Sequence, residues 1–271
     1  MKRFILCGAA GIVLVPWPAH AERLTDRAWL QAGLYRPSFH SHAQVSVPDA
    51  PVEGTDISFE GDLGLASHKT VANVEAGVRV TDRFRLEGGY FSLKRRGERA
   101  LDRDILWEDT TYPVNTRIGA GFRTDVYRIA LGYSLVKSRN AELGVRVGAH
   151  VTQFNMFIEG NATVNGQTLP QRREQKDKTI PLPHLGVFAN LDVARGVSLH
   201  GGANYFELKI DDKKGRLVDL SAGISGRITP NIGVGARYRY VNYRLRMHSD
   251  DWRGKVDYRF KGPALFVEAA F

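Results

Sequence analysis

The chain has 271 residues, with 38 Lys and Arg against 29 Asp and Glu, which gives a formal net charge of +9. Its one cysteine, Cys7, excludes a disulfide framework within the chain, because a disulfide needs two thiols. The sequence has no basic helix, no aromatic RNA-binding signature and no zinc-ligand spacing. We therefore expect no nucleic-acid partner despite the positive charge.

The first 21 residues, MKRFILCGAAGIVLVPWPAHA, match a secretory signal peptide. Lys2 and Arg3 form its basic start, and Ala19-His20-Ala21 is a small-x-small cleavage site. The apolar run between them is shorter than the about 20 residues of a membrane-spanning helix. We predict cleavage after Ala21, export through the inner membrane, and one mature domain over 22–271 with a net charge of +7 and no thiol.

The first predicted strand is AWLQAGLYR at 28–36, and the segment that follows, 37–70, is ambiguous. Its stretch TDISFEGDLGL at 55–65 fits an extra strand, an extended rim or a loop. In SFHSH, His40 and His42 share one face of an extended segment and form a weak metal signal with His68, because no third ligand is fixed. We predict a solvated segment and no metal site.

From residue 71 onward the sequence repeats one unit: an alternating segment, a short polar turn, a second alternating segment and a longer polar stretch. Alternation with period two puts successive side chains on opposite faces of a strand. The predicted short turns are 81–84, 137–141, 193–197 and 229–231. The longer stretches, predicted to be loops, are 95–112, 159–179, 211–216 and 248–255. Residues 115–122 either continue the strand that starts at 126 or form a separate one.

One face of each segment is apolar, and the other mixes charged residues with glycines. In VANVEAGVRV, for example, Val74 and Val78 oppose Glu75 and Arg79. A soluble sandwich also has alternating strands, but small residues beside charges suit the narrow polar interior of a barrel. Aromatic residues recur near the strand ends, as in membrane barrels: Tyr90, Tyr127, Tyr133, Tyr205, Tyr238, Tyr240 and Tyr258. We therefore predict an all-β fold, a closed antiparallel transmembrane β-barrel.

The last nine residues, PALFVEAAF, place Leu265, Val267, Ala269 and Phe271 at every second position. Together with the signal peptide, the short turns and the long polar stretches, this ending resembles Gram-negative outer-membrane β-barrel proteins, especially the outer membrane protein A and W type. The resemblance implies a location in the cell outer membrane. It also implies that the four residues form the closing strand and the signal read by the barrel-assembly machinery. No motif in it is specific to one activity.

Four short turns, with one strand at each end of the chain, give a count of ten strands, an even number as bacterial barrels require. Eight and twelve remain open, because 37–70 and 115–122 are ambiguous.

The inward positions of the predicted barrel carry charges of both signs. The candidate lumen network consists of Glu75, Arg79, Arg85, Glu87, Arg128, Glu142, Arg146, His150, Arg227, Arg237 and Arg239. In a narrow lumen such charges pair with one another and hold the strands in register. The sequence favours this plugged barrel, with a structural or surface-interaction role. The alternative is a small anion-favouring pore or a passive transporter of small solutes.

A lipid-modifying enzyme or a protease is the third possibility. A lipid deacylase would need a His-x-Ser pair on one strand face, and no histidine of the mature chain is followed two positions later by serine. The nearest match to a protease site is His248 with Asp250 and Asp251. We expect no enzyme and no cofactor.

The expected partners are outer-membrane lipid and lipopolysaccharide, besides the assembly machinery. The run QRREQKDK at 171–178 is basic, as are Lys94, Arg95, Arg96 and Arg99. Two interpretations stay open for these cations: they contact lipopolysaccharide phosphates, or they only keep the loops solvated.

Overall fold

The computed structural model describes residues 24, 26–46, 54–164, 167–210, 213–249 and 252–271, so the predicted signal peptide lies outside it. Fourteen strands occupy most of these residues. They are β1 (Ala28–Tyr35), β2 (Ser38–Ser46), β3 (Ile57–Ser58), β4 (Val71–Arg79), β5 (Phe84–Ala100), β6 (Ile105–Trp107), β7 (Thr110–Tyr112), β8 (Arg117–Lys137), β9 (Ala141–Val164), β10 (Gln167–Ala194), β11 (Val197–Ile210), β12 (Lys213–Arg227), β13 (Ile232–Ser249) and β14 (Trp252–Ala270). Within this part of the chain no helix has the length and apolarity needed to span a membrane.

Ten of the strands form an antiparallel ring: β1, β4, β5 and β8 to β14. The first and last of them close it, with a register that runs from Trp29 opposite Ala270 to Tyr35 opposite Ala264. Beyond Arg36 and Pro37 the chain continues as β2 along the same edge of β14. The predicted all-β barrel and its count of ten strands are therefore confirmed.

The four predicted short turns all connect ring strands, and both ends of the ring lie beside them. The backbone N–H of Phe271 donates to the carbonyl of Ala28 at 2.9 Å, which ties the last residue to the first strand. We call this the turn end of the barrel and the opposite one the loop end.

The outer wall carries a continuous apolar band near the turn end. Its large side chains are 49–69 % exposed at Leu30, Leu34, Ile129, Leu185 and Leu265. Aromatic pairs flank the band: Tyr90 and Tyr127, with ring centroids 4.9 Å apart, lie toward the loop end, and Phe84 and Tyr133, 4.8 Å apart, toward the turn end. An apolar band between aromatic girdles is the outer surface of a barrel that stands in lipid.

All four predicted loops are too long, because strands continue into them: β12 already begins at Lys213 and β14 at Trp252. The largest differences are in the first two loops. β5 extends to Ala100, β9 extends to Val164 and β10 begins at Gln167, and 115–122 belongs almost entirely to β8. These strands exceed the about 9–11 residues that cross a membrane, so the wall projects beyond the apolar band. Polar side chains did not exclude a strand there, because backbone hydrogen bonds hold the ladder and the outer face meets water.

The barrel wall does not have the same height all around, because β10 extends farther toward the loop end than its pairing with β11 does. Their pairing ends at Leu185 opposite Tyr205, whereas β10 stays paired with β9 as far as Gln167. Pro181 and Pro183 lie just beyond that last pair, at alternate positions. A proline has no N–H to donate, so both fit the side of β10 that has no partner there.

Candidate functional site

The structure places all eleven predicted network residues inside the barrel, at the level of the apolar band. The side chains of all eleven residues are at most 13 % exposed. They stand on the inward face because the apolar residues that alternate with them face outward. The layer is continuous around the ring, and we call it the charge layer.

One half of the charge layer is centred on Glu142, whose side chain is fully buried. Arg79 lies 2.7 Å from one of its carboxylate oxygens, and Arg85 lies 3.4 Å from the other. Asn190 also donates to the second oxygen at 3.0 Å, and the Ser134 hydroxyl donates to the first at 2.5 Å. Four strands therefore meet at this one carboxylate, which is held as an ion without access to bulk water.

The other half is centred on Glu75 and Asp219. Arg128 lies 3.1 Å from Glu75, which also accepts from Arg237. Arg239 bridges the two carboxylates, at 3.6 Å from Glu75 and 2.8 Å from Asp219. Glu75 thus balances more than one cation, and the chain of ion pairs runs from β4 across the lumen to β12 and β13.

Six carboxylates balance seven arginines in the ion pairs of this layer. The arginines are 79, 85, 128, 146, 227, 237 and 239, and the carboxylates are Asp26, Glu75, Glu87, Glu142, Asp219 and Glu268. The remaining cavity measures about 80 Å³. It has room for a few water molecules only.

A second closure lies above the charge layer, toward the loop end, and consists of packed aromatic rings. Phe91 meets Phe260 edge-on at 5.6 Å, and Phe122 meets Tyr258 edge-on at 5.2 Å. All four side chains are at most 5 % exposed. Tyr258 therefore belongs to this aromatic layer and not to the girdle at the strand ends, where its position in the sequence had suggested it.

The described part of the ambiguous segment 37–70, residues 37–46 and 54–70, covers the aromatic layer. Residues 54–66 pair briefly with β2 through β3 and then turn inward, so that Phe59 packs edge-on against Phe122 at 5.0 Å. The hairpin of β6 and β7 folds in beside them with Trp107 and Tyr112 buried. Burial raises the pKa of the Tyr112 hydroxyl, which stays neutral and donates to the Ile158 carbonyl at 3.3 Å. We call residues 54–66 the lid.

Arg95 fastens the lid, and its predicted position in a basic surface loop is wrong. Its side chain is fully buried, forms an ion pair with Glu60, and donates to the Ser41 hydroxyl at 2.7 Å. The guanidinium also lies 4.5 Å from the Phe39 ring centroid, which favours a cation–π contact. The period of two could have predicted this burial. Once β5 is extended, Arg95 lies an even number of positions from Arg85 and Glu87 and therefore on the same inward face of the strand.

The weaker candidate residues are not brought together. His42 lies 3.5 Å from Asp56, and His68 bridges Ser38 through the backbone. No cluster of three or more potential metal ligands occurs among the residues that the structure describes. Asp250 and Asp251 lie outside those residues, so the protease-like match with His248 has no geometry to report.

Comparison with known families identifies the architecture. The family described as "Outer membrane protein beta-barrel domain" matches residues 7–260. The chain belongs to this outer-membrane β-barrel family. This outer-membrane barrel is therefore located in the cell outer membrane of a Gram-negative bacterium, with its turn end toward the periplasm and its loop end outside the cell.

Among solved structures, the barrel is similar to the outer membrane protease OmpT of Escherichia coli. The TM-score is 0.61 at 10% identity, over 91% of this chain and 97% of that one. Neisserial surface protein A scores 0.33 at 13% identity, over 90% and 97%. The toluene transporter TbuX of Ralstonia pickettii scores 0.39 at 10% identity, over 94% and 92%. At such identities the likeness to OmpT is one of fold alone. No curated protein matches the chain.

Proposed function

We propose that this outer-membrane barrel does not conduct, and that its role is structural or lies in contacts at the cell surface. The observation that carries the proposal is the double closure of the lumen, by the charge layer and by the aromatic layer with its lid. A solute that crossed would have to break ion pairs in the first layer and displace packed rings in the second.

The balance of charge supports a plug over an anion pore. A selective pore uses cations that a passing anion can reach. Here Arg128, Arg146 and Arg239 each already lie within 3.2 Å of a carboxylate oxygen. A ring of ten strands is also much narrower than the about 16–18 strands that leave an aqueous channel.

The proposal includes the absence of catalysis. OmpT is titled a protease, but at 10% identity its likeness supports the architecture and carries no site across. The support for a non-enzyme is the sequence, which lacks the His-x-Ser pair that a lipid deacylase would need.

We also propose that the assembly machinery reads Leu265, Val267, Ala269 and Phe271 at the end of the chain. Its support is that the side chains of Leu265, Val267 and Phe271 are more than half exposed on the outer face.

The experiment is single-channel conductance of the purified, refolded barrel in a planar bilayer, with heat-modifiable gel migration as the control for folding. We expect silence from the wild type. Replacing Arg128, Arg146, Arg237 and Arg239 together by Gln is expected to lower the thermal stability and to admit a leak without ion preference. Discrete anion-selective openings of the wild type, lost in the variant, would instead assign the arginines to a filter and overturn the proposal.

A further inference from the structure

Four cations stand side by side on the outer wall above the apolar band. Lys209 on β11 is directly opposite Lys214 on β12, which is opposite Arg246 on β13, which is opposite Lys255 on β14. All four share the outward parity of lipid-facing residues of their strands, such as Tyr205 and Leu220. We call them the cationic row.

Like charges at directly opposite positions of neighbouring strands destabilise a sheet, because the strands lie about 4.8 Å apart. Only two members of the row are compensated: Lys214 by Glu207 at 2.7 Å and Lys255 by Asp56 at 2.6 Å. Within the described part of the chain, Lys209 and Arg246 form no ion pair. Among the residues that the structure describes, the row therefore carries more positive charge than its carboxylate partners balance.

The positive surface continues down β14 to the apolar band. The outward position next to Lys255 is Asp257, which pairs with Arg244 at 3.0 Å. Arg259 and Lys261 follow at the next two outward positions, and neither forms an ion pair within the described residues. Lys261 lies opposite Tyr240 and only four positions from Leu265, which is 65 % exposed in the band. The cations thus begin where the lipid headgroups lie and rise about 20 Å along the strand from Lys261 to Lys255.

The basic residues that the sequence singled out behave differently. On the projecting hairpin of β9 and β10, Arg173 pairs with Glu159 at 3.0 Å and Lys176 with Glu108 at 2.7 Å. Arg172 likewise pairs with Glu174 at 2.6 Å. These cations are matched by carboxylates of the chain itself, so they leave little charge for a ligand.

We propose that the cationic row, with Arg259 and Lys261, binds the phosphorylated sugar headgroup of an outer-leaflet glycolipid. A polyanion laid across β11 to β14 would relieve the like-charge repulsion of the row. A lipid, rather than a soluble polyanion, is favoured because the surface faces sideways and is continuous with the lipid-facing band. Headgroup phosphates would meet Lys261 and Arg259, and phosphates farther out on the sugars would meet the row.

The test is the affinity of the refolded barrel, in an uncharged detergent, for fluorescent lipopolysaccharide, measured by anisotropy. The test variant is R246Q with R259Q. The matched control is R96Q with R117Q, which also removes two exposed outward cations from the projecting wall but on β5 and β8. Heat-modifiable migration checks that both variants fold, which we expect because neither removes an ion pair.

We expect the test variant to bind about 30-fold more weakly and the control to change less than about threefold, since each surface cation near a lipid headgroup contributes about a factor of five. Wild type should lose a similar factor on lipopolysaccharide stripped of its phosphates. The proposal is overturned if both variants lose equally, or if phosphate removal has no effect. It is also overturned if binding of heparin, a soluble sulfated polysaccharide, requires the two arginines while lipopolysaccharide binding does not. None of these outcomes depends on whether the lumen conducts.

Discussion

At the scale of the residue, the carboxylates of the charge layer do the most to hold the barrel in one arrangement. Glu142 accepts from four groups on four strands, and its neighbour Arg85 also lies 2.8 Å from Glu87. Removing either sign from such a cluster leaves the opposite sign buried without compensation, which costs more than an intact pair contributes. A residue of the layer is therefore tested best by a charge change that preserves its shape.

We predict that Glu142→Gln lowers the free energy of unfolding by about 3 kcal/mol, because Arg79 and Arg85 lose their shared anion while the packing is kept. Equilibrium unfolding of the refolded barrel in guanidinium chloride measures the change. Glu98→Gln, at an exposed position of β5, is the matched control and should stay within about 0.5 kcal/mol of wild type. A double variant with Arg79→Gln should lose less than the sum of the single variants, and strict additivity would contradict the coupling.

At the scale of the element, the lid and the projecting strands distinguish this barrel from a plain membrane cylinder. The lid has only the two residues of β3 in regular structure, so its position depends on Phe59, Glu60 and the buried Arg95. The projecting part of β10 has a neighbour on one side only. Each element can be perturbed without touching the charge layer.

Replacing Arg95 with Gln is expected to free the lid. The loss of charged hydrogen bonds, worth about 2 kcal/mol in total, raises the open fraction of the lid about 30-fold. Chymotrypsin should then cut after Phe59, a buried residue in the wild type, at a correspondingly higher rate. Arg96→Gln removes the neighbouring charge from the outer face and should leave the cleavage rate unchanged. Equal rates for the two variants would show that Arg95 does not fasten the lid.

The two prolines of β10 give a prediction about association. Pro181→Thr with Pro183→Thr returns two N–H donors to the side of the strand that lacks a partner, and free strand edges pair with other chains. We expect the refolded variant to form dimers at concentrations where the wild type is monomeric, as measured by sedimentation in detergent. Thr168→Val with Thr179→Val, which adds no donor on the same strand, is the control. Unchanged sedimentation of the proline variant would refute the idea that the two prolines prevent this strand edge from pairing with another chain.

At the scale of the whole molecule, electrostatics divides into an interior and an exterior part. The charge layer is shielded by the wall and the aromatic layer, whereas the cationic row faces the leaflet and the water above it. Salt screens exposed charges within about 8 Å at physiological ionic strength but acts much less on buried pairs. The two sets of charges should therefore respond differently to salt.

We predict that the midpoint of thermal unfolding of the wild type, measured without guanidinium chloride, changes little between low and high sodium chloride. The reason is that buried ion pairs hold the fold, and salt screens them weakly. Lipopolysaccharide affinity should fall steeply over the same range, because it relies on the exposed row. Circular dichroism melts and the anisotropy titration, run on one preparation, measure both. A midpoint that followed salt as strongly as the affinity did would mean that the charge layer is open to ions.

Much of the fold was predictable because a barrel wall imposes a period of two on its strands. That period located four turns, the ring of ten strands and the inward residues of the charge layer, since each outward apolar residue fixes the face of its neighbour. The period failed to predict the strand beyond the apolar band. Around Arg95 both faces of β5 carry polar or small residues, so no apolar alternation is visible and the sequence resembles a loop. There the continuing hydrogen-bond ladder, which leaves no compositional signal, kept the strand going.

The sequence by itself determined that this protein is a barrel with charges inside and an apolar band outside, because burial and lipid contact act on each residue locally. Only the tertiary structure decided which charges meet. Glu142 finds Arg79 and Arg85 across 63 and 57 positions of the chain, and the four cations of the row line up through the register of three strand pairs. Register is set by the closure of the whole ring, so no single strand encodes it.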